Sequence, residues 1–90
     1  MVMTASLKGK VLFVDDDLSI LHLYEEEFSE EGYEVLLARN GKEALVKLKE
    51  ESPDLVVMDI CMPEKEGIET LNAMLQIGQR IPIILNFLKP

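Results

Sequence analysis

The chain is poor in residues that cross-link or bind zinc, since it contains one cysteine, Cys61, and one histidine, His22. A single cysteine cannot form an internal disulfide, and one cysteine with one histidine cannot complete a structural zinc site. The amino terminus lacks the continuous apolar segment of a signal peptide, and no run of 18 apolar residues is available to span a bilayer. We therefore expect neither export nor membrane insertion, and a reducing, cytoplasmic location.

Positive charge is also scarce, because 9 Lys and Arg stand against 17 Asp and Glu, for a net charge of −8. This balance disfavours a nucleic-acid-binding surface, which needs clustered Lys and Arg. Part of the acid excess is interpreted as the solvated face and end of the first predicted helix, at Glu25, Glu26, Glu27, Glu30, Glu31 and Glu34. Apolar residues make up 48% of the 90 residues, which is enough for one folded domain with a small core.

Apolar runs alternate along the chain with segments of helical periodicity. The runs predict strands at residues 10–14, 33–38, 54–59 and 83–85. Helices are predicted at residues 17–31, from 40 through Leu48 to a stop at Pro53, and from 68 to about 78; Asn40 and Glu43 form a capping box for the second. Short loops between alternating strands and helices indicate parallel strands joined by right-handed crossovers. The predicted fold class is α/β, a doubly wound parallel sheet in three layers.

Two of the predicted strands end abruptly in carboxylates. Asp15 and Asp16 follow the first strand, and Asp59 ends the third. Ligands bind at the carboxyl edge of a parallel sheet, so these three side chains converge if the two strands are neighbours. Three negative groups held together repel one another unless a divalent cation lies between them, and an all-oxygen ligand set suits Mg²⁺. Asp17, by contrast, is predicted to be the N-cap of the first helix.

The same residues carry a family resemblance. The run VLFVDDD at residues 11–17, the run DLVVMDICMP at residues 54–63, and Gly67 resemble the receiver domain of bacterial two-component response regulators, over residues 8–85. The resemblance implies a flavodoxin-like (CheY-like) fold that accepts a phosphoryl group from the phosphohistidine of a sensor histidine kinase. It also implies that the chain is not an enzyme in the usual sense, but a signalling phosphoacceptor that catalyses its own phosphoryl transfer.

The resemblance assigns a role to each residue of the predicted site. Asp59 is the nucleophile and phosphoacceptor. Asp15, Asp16 and Asp59 bind Mg²⁺ together with the main-chain carbonyl of Cys61, whose side chain is incidental. His22 lies on the first helix, is expected to be exposed, and is not a phosphodonor.

The end of the chain departs from the family pattern. The family places a Ser or Thr at the end of its fourth strand, and counting from Pro82 that position falls on Phe87, with Asn86 before it. The Lys-Pro pair that ends the chain resembles the pair at the end of the family's fifth strand, which makes Lys89 a candidate phosphate contact. Only one residue lies between position 85, in the fourth strand, and position 87, in the segment that resembles the fifth strand. Successive parallel strands need a crossover of a dozen residues or more.

Three accounts fit this junction. In the first, the segment that carries the end of strand four, helix four and most of strand five is deleted, and the terminal helix is missing as well. In the second, the same residues are absent only from the sequence as given. In the third, the chain ends after the fourth strand, with residues 87–90 as a tail. In the first two accounts Lys89 remains a phosphate contact. We expect one receiver domain over residues 1–90, with an incomplete sheet and with residues 86–90 as a junction or a remnant of the last strand.

Two other functions stay open from the sequence. A truncated receiver that lacks its switch hydroxyl is a non-switching interaction or dimerisation module, which pairs with a second copy of the chain or with another partner. A flavin-binding flavodoxin-like domain is disfavoured, because the first loop has three aspartates where a phosphate-cradling loop needs Gly, Ser or Thr.

Overall fold

Residues 8–59, 66–77 and 81–86 are described by a computed structural model of the chain. They form four strands and three helices in strict alternation: β1 Gly9–Val14, α1 Leu18–Glu30, β2 Tyr33–Ala38, α2 Gly41–Glu51, β3 Leu55–Asp59, α3 Glu66–Gln76 and β4 Ile83–Asn86. The predicted order of elements is confirmed. Cys61, Phe87 and Lys89, to which the sequence assigned roles or family positions, lie outside the described residues.

The four strands are parallel and lie in the order β2-β1-β3-β4. From β1 the chain first crosses outward to β2, and then returns to place β3 on the other side of β1. The boundary between β1 and β3 is therefore the point where the direction of winding reverses, which is where doubly wound sheets bind ligands. The predicted flavodoxin-like α/β fold is confirmed by this topology.

Alternate residues of the central strand build two separate cores, one on each face of the sheet. Leu12 and Val14 pack on the face that carries α2 and α3, and Val11 and Phe13 pack on the face that carries α1. This alternation follows from the period of two in a strand. All four of these side chains are at most 2% exposed, as expected for a strand covered by helices on both faces.

The α1 side of the sheet is dominated by aromatic packing around Phe13. The Phe13 ring lies 4.7 Å from the ring of Tyr24 in a stacked arrangement, and 5.0 Å from the ring of Phe28 edge to face. Leu21 of α1 is fully buried against the same residues. These contacts fix α1 over β1 and β2, and thereby fix the position of the loop between β1 and α1.

Helix ends are set by local hydrogen bonds. Asp17 is the N-cap of α1, as predicted, and its Oδ1 accepts a hydrogen bond from the N–H of Ser19 at 3.0 Å. After α1, Gly32 adopts φ +98°, a conformation that favours glycine. The sequence attributed the end of α2 to Pro53, but Ser52 already ends it in the left-handed conformation at φ 49°. The proline follows a helix that has already stopped.

The N-cap of α2 can be tested by mutation. Asn40 Oδ1 accepts a hydrogen bond from the N–H of Glu43 at 2.9 Å, and this satisfies one of the donors that the first helical turn leaves unpaired. We expect Asn40→Ala to lower the free energy of unfolding by about 1 kcal/mol, measured by urea denaturation. Asn40→Ser retains a capping oxygen, so its free energy of unfolding should be close to that of the parent chain. Equal stability of the Ala variant would contradict the capping role.

Candidate functional site

Asp15 is fixed in place directly after β1. Its N–H donates to the carbonyl oxygen of Ala38 at 3.1 Å, so the pairing of β1 with β2 extends one residue past Val14. Its Oδ1 accepts a hydrogen bond from the N–H of Asp17 at 2.9 Å, and the residue is only 2% exposed. A buried carboxylate is thus oriented by the main chain of the turn that starts α1.

Asp59 lies at the same level on the neighbouring strand. Val14 of β1 pairs with Met58 of β3, so the next residue on each strand is a carboxylate, Asp15 on one and Asp59 on the other. Asp59 is also 2% exposed. The parallel register therefore brings together two buried acids that are 44 residues apart in the sequence.

Asp16 completes a cluster of three carboxylates. One oxygen from each of Asp15, Asp16 and Asp59 lies within 4.8 Å of the others, and Asp16 is the exposed member of the group. The structure thus brings together the three side chains that the sequence placed at this edge. Two unit charges at 4.8 Å repel by roughly 3.5 kcal/mol at an effective dielectric constant of about 20. Several carboxylate oxygens converging at a sheet edge are the hard donor set that suits Mg²⁺, so the residues fit this ion.

The fourth strand also reaches this edge. The Cα of Asn86 pairs with the Cα of Asp59, so the end of β4 lies beside the end of β3. Position 87, where the family resemblance expects a hydroxyl, comes one residue later and lies outside the described residues. Cys61 and Lys89 also lie outside them, so their predicted contacts remain predictions.

One contribution to the site was missed by the sequence analysis. Asp17 was assigned only to capping, whereas its N–H also holds Asp15 in position. The signal was available, because an Asp side chain commonly accepts a hydrogen bond from the main chain two residues later. His22 is exposed, as predicted, and its Nδ1 lies 3.7 Å from a carboxylate oxygen of Glu25.

The fold and the cluster define a doubly wound α/β protein with an acidic pocket at the switch point of its sheet. Residues 11–86 match the family model of the response regulator receiver domain, and the chain belongs to this family. The resemblance noted in the sequence is thereby confirmed.

The chain is similar to curated and solved members of this family. It is 40% identical over 79 residues to the Alkaline phosphatase synthesis transcriptional regulatory protein PhoP of Bacillus subtilis, covering 88% of this chain and 33% of that protein. It is 42% identical over 79 residues to Sporulation initiation phosphotransferase F of the same organism, covering 88% of this chain and 64% of that protein. The chain therefore spans a third of the first relative and slightly under two thirds of the second.

Solved receiver structures agree with the fold. The N-terminal domain of a response regulator receiver protein from Methanoculleus marisnigri JR1 superposes with a TM-score of 0.84 at 32% identity, covering 92% of this chain and 69% of that one. The chemotaxis protein CheY4 of Vibrio cholerae gives a TM-score of 0.76 at 35% identity, covering 86% of this chain and 66% of that one.

Membership in the family carries a general function. Receiver domains are the signalling phosphoacceptors of two-component systems and take phosphoryl groups from histidine kinases, and phosphorylation and Mg²⁺ binding are typical of them. Within the part of the chain that the structure describes, no helix has the length and apolar character needed to cross a membrane.

Proposed function

We propose that this chain accepts a phosphoryl group on Asp59 from a sensor histidine kinase. The observation that carries the proposal is the position of Asp59 at the carboxyl end of β3, buried and within 4.8 Å of two further carboxylates. The name of one relative, Sporulation initiation phosphotransferase F, supports phosphoryl transfer as the chemistry of the site.

Asp15, Asp16 and Asp59 would hold Mg²⁺, with the main-chain carbonyl of Cys61 as a further ligand. The bound ion would neutralise the carboxylates and the oxygens of the incoming phosphoryl group. The hydrogen bond from the N–H of Asp17 orients Asp15 for this role. Asp16 is the exposed member of the three.

Asp59 supplies the nucleophile of the transfer. One of its carboxylate oxygens forms the bond to phosphorus as the P–N bond of the donor phosphohistidine breaks, and the electron pair of that bond leaves with the imidazole nitrogen. Pairing of β3 with both β1 and β4 fixes the main chain at Asp59, so the nucleophile is positioned before the donor arrives. The product is an acyl phosphate on Asp59.

We assign the receiver domain to residues 1–90, with residues 86–90 as a junction or a remnant of the last strand. Lys89 is proposed to contact the phosphoryl group, as the resemblance of its Lys-Pro pair implies. A cytoplasmic location is proposed, since one cysteine and no disulfide partner suit a reducing compartment.

Incubation with acetyl phosphate and Mg²⁺ tests the proposed function. Intact-mass spectrometry is expected to show one added phosphoryl group, which disappears when EDTA replaces Mg²⁺. No adduct under conditions that phosphorylate a known receiver domain would refute phosphoacceptor activity in this chain.

Asp16 and Asp17 offer a matched pair for testing the Mg²⁺ site. Asp16 belongs to the carboxylate cluster, whereas Asp17 contributes an N-cap oxygen and a main-chain N–H that asparagine also provides. We expect Asp16→Asn to weaken Mg²⁺ binding by at least about tenfold in a calorimetric titration, since even outer-shell partners contribute about 10–100-fold. Asp17→Asn should change the affinity much less. Equal affinities for the two variants would contradict the assignment.

A second candidate function is a non-switching interaction module. It is favoured by Phe87, which stands where the family resemblance expects Ser or Thr. The two candidates differ in the response to phosphorylation. In a switching receiver, beryllofluoride with Mg²⁺ should shift the NMR signals of backbone amides far from the site as well as near it. In a non-switching module, only the amide signals of residues near Asp59 should shift.

A further inference from the structure

A groove separates the amino-terminal halves of α2 and α3. Among the described residues, its walls are Gly41, Lys42 and Leu45 of α2 and Glu69 and Thr70 of α3, and its volume is about 210 Å³. No member of the carboxylate cluster belongs to these walls. The groove is therefore a feature separate from the proposed phosphoacceptor site.

Thr70 contributes a buried hydroxyl to this groove. The residue is 4% exposed, and the other buried polar residues in the described part of the chain, Asp15 and Asp59, belong to the carboxylate cluster. No described residue forms a hydrogen bond with the hydroxyl of Thr70. Buried polar groups in folded proteins nearly always have a hydrogen-bond partner. Since Thr70 lines the groove, a molecule bound there is in position to supply that partner.

The two walls of the groove carry opposite charges. Lys42 of α2 and Glu69 of α3 are both exposed. Neither forms an ion pair with the other, or with any further residue that the structure describes. Both helices begin at this end, so their dipoles act with Lys42 in attracting a negative group, whereas Glu69 repels a simple anion and attracts a cation. A ligand with one group of each sign matches this arrangement.

The volume and the apolar part of the wall limit the ligand. About 210 Å³ corresponds to about seven water molecules at roughly 30 Å³ each. Pockets for drug-sized ligands begin at about 300 Å³. Leu45, which is half-buried, adds an apolar surface on the α2 side. The groove therefore suits a molecule of roughly six to eight non-hydrogen atoms that combines a cationic group, an anionic group and a short aliphatic part.

We propose that the groove between α2 and α3 binds a small aliphatic α-amino acid as its zwitterion. The carboxylate of the ligand pairs with Lys42 and accepts a hydrogen bond from the hydroxyl of Thr70. The ammonium group pairs with Glu69, and the aliphatic side chain packs against Leu45. This site is independent of the proposed phosphoacceptor function and takes a ligand of a different chemical class.

An NMR titration of the isotopically labelled 90-residue chain with L-valine tests the proposal. We expect saturable shifts of the amide signals of Lys42, Leu45, Glu69 and Thr70, with a dissociation constant of about 1 mM, as suits so small a ligand. Isovalerate lacks the ammonium group of valine and isobutylamine lacks its carboxylate, so both should bind at least about tenfold more weakly. No saturable shift at these residues up to about 10 mM valine would overturn the proposal. Equal binding of isovalerate would show an anion site only and would overturn it as well.

Substitutions on the two walls test the position of each charge. Glu69→Gln should weaken valine binding by about fivefold without weakening isovalerate binding, whereas Lys42→Gln should weaken both. Lys49→Gln removes the same charge from a part of α2 outside the groove and should bind valine like the parent chain. A Glu69→Gln chain that melts cooperatively and keeps the parent's preference for valine over isovalerate would overturn the proposal, because loss of packing alone does not change that preference.

The carboxylate cluster also attracts ammonium groups, and Mg²⁺ separates the two sites. The ion competes with an ammonium group at the cluster and leaves the groove free, since no residue of the cluster is among its described walls. We expect the same affinity for valine with and without Mg²⁺. Loss of valine binding on addition of Mg²⁺ would place the ligand at the cluster and overturn the proposal. None of these titrations requires phosphorylation of Asp59, so failure of the proposed function and failure of this proposal are distinguishable.

Discussion

Asp59→Asn is expected to abolish phosphorylation by acetyl phosphate, with less than about one hundredth of the parent adduct remaining in the intact mass. The amide removes the anionic oxygen that attacks phosphorus, while its size and shape leave β3 and its pairing intact. Because it also removes a charge from a cluster whose oxygens lie within 4.8 Å, the metal-free variant should be more stable than the parent by about 1–3 kcal/mol. Thermal melting in EDTA measures this second effect.

Asp54→Asn is the matched control for this substitution. Asp54 directly precedes the same strand at its other end, where its Oδ2 accepts a hydrogen bond from the N–H of Lys10 at 2.8 Å. This variant should retain the phosphoryl adduct in full. An Asp59→Asn chain that is folded and still phosphorylated would show that the acceptor is another residue.

Phe13→Ala is expected to cause the largest loss of stability. Phe13 is 1% exposed and contacts two aromatic rings of α1, so its truncation leaves a cavity between that helix and the sheet. Truncation of a buried phenylalanine costs about 3–5 kcal/mol, out of about 5–13 kcal/mol expected for a domain of 90 residues. We expect the melting temperature to fall by roughly 15–30 °C in a calorimetric scan.

Leu23→Ala provides the comparison on α1. Leu23 is 52% exposed, and its truncation should change the free energy of unfolding by no more than about 0.5 kcal/mol. Similar losses for the two variants would show that the aromatic cluster is not the main support of α1. A large loss confined to Phe13→Ala supports the two-core description of the sheet.

The order of strands and helices was predictable because each element has its own local pattern of apolar and polar residues. The run at residues 10–14 is apolar throughout and then stops at three aspartates, which is the pattern of a strand covered on both faces that emerges at a sheet edge. The convergence of Asp15 and Asp59 also followed from the sequence, but only on the condition that β1 and β3 are neighbours. The register between Val14 and Met58 supplies that condition.

Other features were not predictable, because they depend on long-range pairing or leave no residue signal. Serine is not the usual residue at a left-handed helix end, so the end of α2 at Ser52 had no marker other than the proline after it. The alignment of Asn86 with Asp59 arises from strand pairing across the sheet. A periodicity of apolar residues predicts that a strand exists, and it does not predict with which strand it pairs or in which register.

The most direct measurement for the central claim is to locate the phosphoryl group chemically. After incubation with acetyl phosphate and Mg²⁺, borohydride reduces an acyl phosphate to an alcohol, and peptide mass spectrometry then identifies the modified aspartate. The proposed function predicts a single modification, at Asp59, that depends on Mg²⁺. A modification at Asp15, Asp16 or any other residue, or none in a folded and Mg²⁺-loaded chain, would contradict it.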